Sequence, residues 1–100
     1  MTHAVYQIAF KPSFIRDLKK FGRRGGDTDR VRKILRLLAS DSELPSSLRD
    51  HQLSGRLRDF RELHVEHDWL LVYQRDGKRL IIHCIWLVTH KKLKEREQGL

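Results

Sequence analysis

The sequence predicts an α+β domain in which an N-terminal strand and a basic helical hairpin precede an antiparallel β-meander. Three observations support this prediction. Apolar residues alternate near the N-terminus, recur at spacings of three and four between residues 14 and 38, and form strand-like runs after residue 57. A chain of 100 residues has room for one small core. We therefore predict one domain over residues 1–100, with strand and hairpin in 1–40, a site-bearing sheet in 57–90 and a charged tail in 91–100.

The sequence predicts a first strand that ends before Pro12 and a first helix that begins there. Tyr6, Ile8 and Phe10 alternate with other residues, which predicts a half-buried strand. Pro12 suits the first turn of a helix, and Ser13 can cap that helix. The helix is then predicted by apolar residues on one face: Phe14, Ile15, Leu18 and Phe21.

A second helix follows the adjacent pair Gly25-Gly26, with Asp27 or Thr28 as its cap. The two helices form a hairpin that carries most of the excess charge, since residues 1–40 contribute +7 to a net charge of +8. Such one-sided charge favours a polyanion such as RNA or DNA, or an acidic protein partner. A merely solvated basic surface is the alternative. The predicted apolar stripe of this helix is Val31, Ile34, Leu35 and Leu38.

The remaining strands are predicted from residue 57 onward. Residues 60–65 alternate, residues 69–73 form a compact apolar run typical of a central strand, and residues 80–88 form the longest apolar run. Asp76-Gly77 is a strong hairpin signal between the last two strands. The tail is predicted to be either a last helical turn or a frayed end.

Composition and motifs exclude several classes of protein. Cys84, the one cysteine, cannot form an internal disulfide or a four-cysteine zinc site, and its apolar strand predicts a buried, inert thiol. No apolar run approaches the ~20 residues of a membrane helix, and no signal-peptide layout is present. We therefore expect a cytoplasmic protein without membrane contact. Phosphate-loop and serine-hydrolase motifs are also missing, so no cofactor is expected.

Histidines are frequent, and several fall at the ends of predicted elements. Their unperturbed pKa of ~6.5 allows proton transfer near neutrality. RNA carries its own nucleophile, the ribose 2′-hydroxyl, so its cleavage needs a base, an acid and cations around the phosphorane. The residue types are therefore compatible with metal-free RNA cleavage, although by themselves they fit surface histidines without a catalytic role better, and a metal at His64, His67 and Asp68 is a further alternative. The six histidines are His3, His51, His64, His67, His83 and His90.

Two motifs resemble a known family. Residues 49–55 read RDHQLSG, residues 60–73 read FRELHVEHDWLLVY, and Thr89-His90 follows. This pattern resembles the YafQ branch of the RelE/ParE toxin superfamily, and the hairpin and element order also match. The resemblance implies a microbial-ribonuclease-like fold and a type II toxin, a ribosome-dependent endoribonuclease that inhibits translation by cutting mRNA. It also implies a cognate antitoxin, the 30S A site and mRNA as partners, with operator DNA bound only through the antitoxin complex.

The resemblance places the catalytic site at His51, His64, Asp68 and His90. His90 is the first choice for general acid or base. Asp68 and His64 would take the 2′ proton or hold the acid in its tautomer, and His51 would position phosphate or pair with a carboxylate. Arg61 would offer a forked cation to the phosphate.

The remaining implied substrate contacts are Trp69, Trp86, Lys91 and Lys92, and one of them departs from the family pattern. Trp69 also suits the core. Trp86 stands where the family usually has an arginine, and its strand parity places it on the side of His90. A tryptophan can stack on a base but cannot neutralise a phosphorane, so Lys91, Lys92 or Lys94 would supply the missing charge.

This departure leaves two alternatives to the nuclease toxin. One is an attenuated or retargeted toxin of the same fold, acting for example on DNA gyrase as the ParE branch does. The other is a non-catalytic basic domain that binds nucleic acid. A second departure is Lys94, which stands where the family has an aromatic residue shortly after the final histidine. His67 also replaces the usual proline and adds a titratable group beside Asp68.

Overall fold

A computed structural model describes residues 4–100, so that His3 lies outside the described residues. None of the helices in this range is long and apolar enough to cross a membrane. The element order confirms the predicted α+β class. It is β1 (Gln7–Phe10), α1 (Pro12–Arg23), α2 (Thr28–Ala39), β2 (His51–Gln52), β3 (Arg61–Glu66), β4 (Trp69–Asp76), β5 (Ile81–Thr89) and α3 (His90–Gln98), with short 3₁₀ helices at Ser46–Leu48 and Gly55–Leu57.

Within residues 4–100 the five strands form one sheet in the order β1-β5-β4-β3-β2. The last three strands make the predicted antiparallel meander, and β1 runs parallel to β5. The C-terminal part of the sheet begins earlier than the predicted residue 57, because His51 and Gln52 form β2 and pair with Glu62 and Arg61. A strand of two residues is too short to show the alternation by which strands are recognised in a sequence.

The two hairpin helices begin as predicted, but only one has the expected cap. Asp27 caps α2, since its side chain accepts a hydrogen bond from the Arg30 N–H at 3.1 Å. Ser13 does not cap α1: Lys11 stands at the cap position, and the Ser13 hydroxyl donates to the Ile85 carbonyl at 2.8 Å. The hydroxyl is engaged by β5 because the start of α1 lies against that strand.

Apolar side chains form one cluster on each face of the sheet, since successive strand residues point to opposite faces. The helix-side core packs the hairpin onto the sheet, and the second core packs α3 onto the opposite face. The helix-side core includes Phe14, Phe21, Val31, Ile34, Leu38, Leu63, Val65, Leu71 and Tyr73. The second core comprises Leu57, Leu70, Val72, Val88 and Leu93, with Leu53, Phe60, Ile85 and Trp86 partly buried against it.

β5 is longer than its parallel neighbour, so part of its edge has no strand beside it. β1 pairs only with residues 81–84. Beyond them, α1 supplies the missing partners: Ser13 donates to the Ile85 carbonyl, and the Leu87 N–H donates to Asp17 Oδ2 at 3.0 Å. These bonds satisfy strand-edge groups that would otherwise be left without partners.

The charged tail is a helix fixed to the rest of the fold, rather than a single turn or a frayed end. The Thr89 side chain caps α3 by accepting from the Lys92 N–H at 3.2 Å. Near the other end, the two Nη atoms of Arg96 donate to the two carboxylate oxygens of Asp17 at 2.7 Å. The tail is therefore held both at its start and through an ion pair with α1.

Cys84 is completely buried in β5. Burial raises the pKa of its thiol to about 12, so the reactive thiolate does not form near neutral pH. The prediction of an inert thiol is confirmed.

Gly26→Ala is expected to destabilise the protein. A Cβ at residue 26 would lie 2.5 Å from three ring atoms of Phe21, a side chain with no exposed surface. Overpacking of this kind costs about 1–3 kcal/mol. The measurement is thermal unfolding followed by circular dichroism.

Gly22→Ala is the matched control, because a Cβ there would meet the Thr28 methyl at an ordinary 3.4 Å. Alanine is more favourable than glycine in a helix by about 1 kcal/mol, so Gly22→Ala should leave Tm unchanged or raise it. A Tm for Gly26→Ala equal to that of the wild type would contradict the packing described for Phe21.

Candidate active site

A cluster of titratable side chains lies at one end of the sheet, where β3 turns into β4 and β5 runs into α3. His64 comes from β3, Asp68 from the turn, and His90 is the first residue of α3. The ring centroids of the two histidines are 5.4 Å apart. His64 pairs with Leu70, which in turn pairs with Val88. The cluster therefore lies on the sheet face opposite the hairpin.

Asp68 orients the His90 ring. Its Oδ1 accepts hydrogen bonds from His90 Nδ1 and, at 3.5 Å, from the His90 backbone N–H. Because a carboxylate only accepts, Nδ1 must carry a proton, and Nε2 is left to exchange a proton with a substrate. The side-chain hydrogen bond lowers the pKa of the Asp68 carboxyl below its ordinary value. An aspartate that fixes the ring and tautomer of a histidine in this way supports acid–base chemistry.

The turn that carries Asp68 depends on its neighbour. The strands are joined by the two residues His67-Asp68, and His67 has a φ of +44°, in the left-handed region. A proline, which the family resemblance implies at this position, has φ fixed near −65° and cannot adopt this conformation. The turn is anchored by Glu66, whose Oε1 accepts from the Asp27 N–H of the hairpin at 3.1 Å.

His51 lies on the same face of the sheet and is paired with a buried carboxylate. Its Nε2 lies 3.0 Å from Glu62 Oε1, and its Nδ1 lies 2.7 Å from the Arg49 carbonyl oxygen. Both neighbours are acceptors, so the doubly protonated imidazolium satisfies both contacts. Glu62 is 7% exposed, which makes the pairing partly buried. Both ring nitrogens of His51 are therefore engaged by neighbouring acceptors.

Arg61 lies on the opposite face, in register with Tyr73 at the edge of the helix-side core. It donates to Asp50 Oδ2 from Nη2 at 2.8 Å and from Nε at 3.2 Å, while the Tyr73 hydroxyl donates to Asp50 Oδ1. The Asp50 hydrogen bond raises the pKa of Arg61, and burial raises that of Tyr73 to about 12. The structure does not bring Arg61 to the histidine cluster, because strand alternation sends it to the other face.

Both tryptophan rings pack against other side chains of the protein. Trp69 packs edge-on against Phe21 with ring centroids 5.1 Å apart, which places it against the helix-side core. Trp86 lies on the face of the second core, as its parity with His90 indicates, and the Arg96 guanidinium carbon lies 5.4 Å from its ring centroid. The same guanidinium is bound to Asp17. Trp86 is therefore a platform for α3 through a cation–π contact.

Lys91 and Lys92 are exposed in the first turn of α3, directly after His90. The Lys92 ammonium lies 3.4 Å from Glu95 Oε2. The helix thus brings two cationic residues next to His90 along the chain. Lys92 also lines a small cleft of about 70 Å³ together with Lys20, Trp69 and Arg96.

Three charged residues of this region were missed by the sequence reasoning. Asp17 carried a signal, since it follows Phe14 by three residues and precedes Phe21 by four, on the apolar face of α1. An acid in such a position needs a partner. Glu62 and Arg96 carried no comparable signal, because their partners come from distant parts of the chain.

The architecture recurs in solved bacterial toxins. A metal-bound toxin from Helicobacter pylori is 34% identical and superposes with a TM-score of 0.82, covering 88% of this chain and 98% of its own. The E. coli DinJ–YafQ toxin–antitoxin complex contains a chain that is 27% identical, with a TM-score of 0.80 and coverage of 89% and 97%. The fold is thus that of small toxins of toxin–antitoxin systems.

The family follows from the sequence comparison. The family model described as "Bacterial toxin of type II toxin-antitoxin system, YafQ" matches residues 6–95. The "mRNA interferase toxin YafQ" of Escherichia coli K12 is 31% identical over 74 residues, which cover 73% of this chain and 80% of that protein. The chain belongs to the YafQ family of type II toxins, and the predicted family is confirmed. In the part of the chain that the structure describes, no three His, Cys, Asp or Glu residues, including His64, His67 and Asp68, are grouped to hold a metal ion.

Replacing His90 by alanine is expected to raise the pKa of Asp68 toward its ordinary value, since the hydrogen bond from His90 is the main cause of the lowered pKa. The charged carboxylate is the form that accepts this bond, so the pair stabilises the fold above the unfolded-state pKa. That contribution is lost as the pH falls through the lowered pKa. Carboxyl ¹³C NMR during a pH titration measures the change.

His83→Ala is the control for this titration, because His83 pairs with Gln74 toward the other end of the sheet. The Asp68 pKa should remain low in that variant. An Asp68 pKa that is the same in wild type and His90→Ala would disprove the pairing.

Trp86→Arg is expected to lower stability by about 1–2 kcal/mol, because it removes a cation–π platform and sets a second guanidinium against Arg96. Restoring the arginine that is usual in the family should therefore not raise the free energy of unfolding of this protein. Trp86→Phe, which keeps an aromatic face, should lose less. Chemical denaturation measures both variants, and equal stability of Trp86→Arg and the wild type would contradict the role of this contact.

Proposed function

We propose that this chain is an mRNA interferase, a toxin that cleaves mRNA on the ribosome without a metal ion. The observation that carries the proposal is the hydrogen bond between Asp68 and His90 Nδ1, with a second histidine ring, His64, 5.4 Å from that of His90. The activity is the one named for the E. coli relative. The arrangement supports it because the reaction requires an acid and a base close together, and His90 is oriented by Asp68 beside His64.

The proposed reaction moves two protons around one phosphate. His64 takes the proton of the ribose 2′-hydroxyl as O2′ attacks the adjacent phosphorus. His90 Nε2 gives a proton to O5′ as the P–O5′ bond breaks, which leaves a 2′,3′-cyclic phosphate and a 5′-hydroxyl. His90 is assigned as the acid because the Asp68 carboxylate compensates the positive charge of its doubly protonated ring.

Positive charge around the phosphate would not come from Arg61, which lies on the other face of the sheet, or from position 86, where a tryptophan stands in place of the usual arginine. His51 contributes a charge held on the same sheet face by Glu62. Both of its N–H groups are already donated, so it would act through its charge rather than through a hydrogen bond. Lys91 and Lys92 add mobile cations next to His90, which is the role that the departure at Trp86 requires of them.

The partners follow from the same family membership. The E. coli YafQ toxin has been solved in complex with the antitoxin DinJ, and we propose that a cognate antitoxin neutralises this chain and links it to operator DNA. The basic hairpin supports association with ribosomal RNA near the 30S A site. A ribosomal substrate places the protein in the cytoplasm.

Primer extension on a reporter mRNA in a purified translation system tests the proposal. Wild-type protein should produce new primer-extension stops inside the reading frame, at the 5′ ends of the downstream fragments, and only when ribosomes are present. His90→Ala should lower the cleavage rate by about 10²–10⁴-fold, since general acid–base catalysis contributes that much. His83→Ala, which removes a histidine from the other end of the same sheet, should cleave at the wild-type rate.

A reporter with a 2′-deoxy nucleotide at the cleaved position should be resistant, because it lacks the nucleophile. Absence of cleavage by the folded, antitoxin-binding wild-type protein would reject the nuclease assignment. The attenuated or retargeted toxin would then be the better account of this chain.

A further inference from the structure

A polar cleft of about 340 Å³ is lined in part by His64, and its lining includes neither Asp68 nor His90. It follows the outer edge of β3. β2 pairs only with residues 61 and 62, so the edge beyond them has no neighbouring strand. The side chains that matter in its lining are Arg30, Ser47, Arg49, His64, Glu66 and His67.

Arg30 presents a guanidinium that is held from one side only. Its Nε donates to the Val65 carbonyl at the strand edge. Among residues 4–100, neither Nη atom of Arg30 has a hydrogen-bond acceptor or a carboxylate partner. The group is thus oriented by the protein and still has N–H donors for a ligand, a combination that lowers the entropic cost of binding.

Arg49 is tied to the candidate active site through its backbone. It has a φ of +51°, in the left-handed region, and its carbonyl oxygen accepts from His51 Nδ1 at 2.7 Å. Its side chain is exposed and, within the described residues, makes no ion pair. The backbone that positions this cation is therefore the same one that orients His51.

The charges of the cleft favour an anion. Two guanidinium groups face one carboxylate, Glu66, and the two imidazoles of His64 and His67 add positive charge when protonated. Glu66 is partly engaged by the hairpin, since its Oε1 accepts from the Asp27 N–H. Guanidinium groups bind phosphate oxygens through paired N–H donors, and the Ser47 hydroxyl is a further donor in the lining.

We propose that this cleft binds a phosphate of the substrate RNA strand next to the scissile one, with Arg30 and Arg49 as its ligands. The inference rests on the proposed function, because the position of the scissile phosphate is taken from His64 and His90. His64 lines the cleft and lies beside His90, so an RNA strand that crosses it reaches both places. The cleft would thus set the register of the strand at the site of cleavage.

The test measures binding separately from cleavage. A fluorescent single-stranded RNA with 2′-O-methyl riboses has no nucleophile, and its binding is followed by anisotropy over a salt series. Arg49→Ala should weaken binding about tenfold, the effect of losing a hydrogen bond to a charged group. It should also reduce the slope of log K against log salt by about 0.7, the value for one phosphate contact on a single strand. Arg30→Ala should behave in the same way.

Two further variants distinguish binding by the cleft from attraction of RNA to the overall positive charge of the protein. Glu66→Gln keeps the acceptor for Asp27 and should tighten binding about threefold, because it removes the one negative charge of the lining. Arg79→Ala removes the same formal charge at the far end of the sheet and should change binding less than about twofold. Equal losses for Arg49→Ala and Arg79→Ala, or no binding by the wild-type protein, would overturn the proposal.

Ribosomes free of mRNA distinguish the substrate strand from ribosomal RNA. Co-sedimentation of Arg49→Ala with such ribosomes should equal that of the wild type. A loss in this assay would assign the cleft to ribosomal RNA and overturn the assignment to the substrate. Because none of these measurements uses cleavage, a failure of the nuclease assignment would be recognised separately in the primer-extension experiment.

Discussion

The carboxylate of Asp17 joins α1, β5 and α3. It accepts two hydrogen bonds from Arg96 of α3 and one from the Leu87 N–H of β5, while its own residue belongs to α1. Its side chain is only 8% exposed, and leaving one partner of such a pair uncompensated typically costs ~3–5 kcal/mol. This group covers the strand edge that β1 leaves open and holds α3 on the sheet.

The candidate site lies where α3 leaves the sheet. Asp68 precedes Trp69 and His90 follows Thr89. Because Trp69 pairs with Thr89, the register of β4 and β5 brings the two partners of the hydrogen bond together, and the attachment of α3 fixes the course of the chain after His90. Trp86 contributes to the attachment from the second face by supporting Arg96. The residue that stands where the family usually has an arginine thus supports the attachment of α3.

The two faces of the sheet divide the polar groups into two sets with different tasks. On the face of the helix-side core, Asp50 binds Arg61 and Tyr73, which ties the loop before β2 to the strands. On the other face lie His51 and His64, where a substrate has access. The left-handed backbone of His67 shapes the turn between β3 and β4, from which Asp68 reaches His90. The polar cleft beside His64 extends the accessible set along the free edge of β3.

Apart from β2 and the full length of α3, the elements and the family could be predicted from the sequence, because periodicity, the Asp27 cap and the Asp76-Gly77 turn are properties of neighbours in the chain. The motif around His64 and Asp68 was equally local. The partners of the charged groups were decided by the tertiary structure. Asp17 and Arg96 are 79 residues apart, and the partner of Ser13 is a carbonyl of β5. Strand alternation predicts that Arg61 and Glu62 point to opposite faces of the sheet. Only the packing of the helices shows which of these two faces is covered by the hairpin. Ion pairs of this kind follow from how elements pack, and no spacing along the chain encodes that packing.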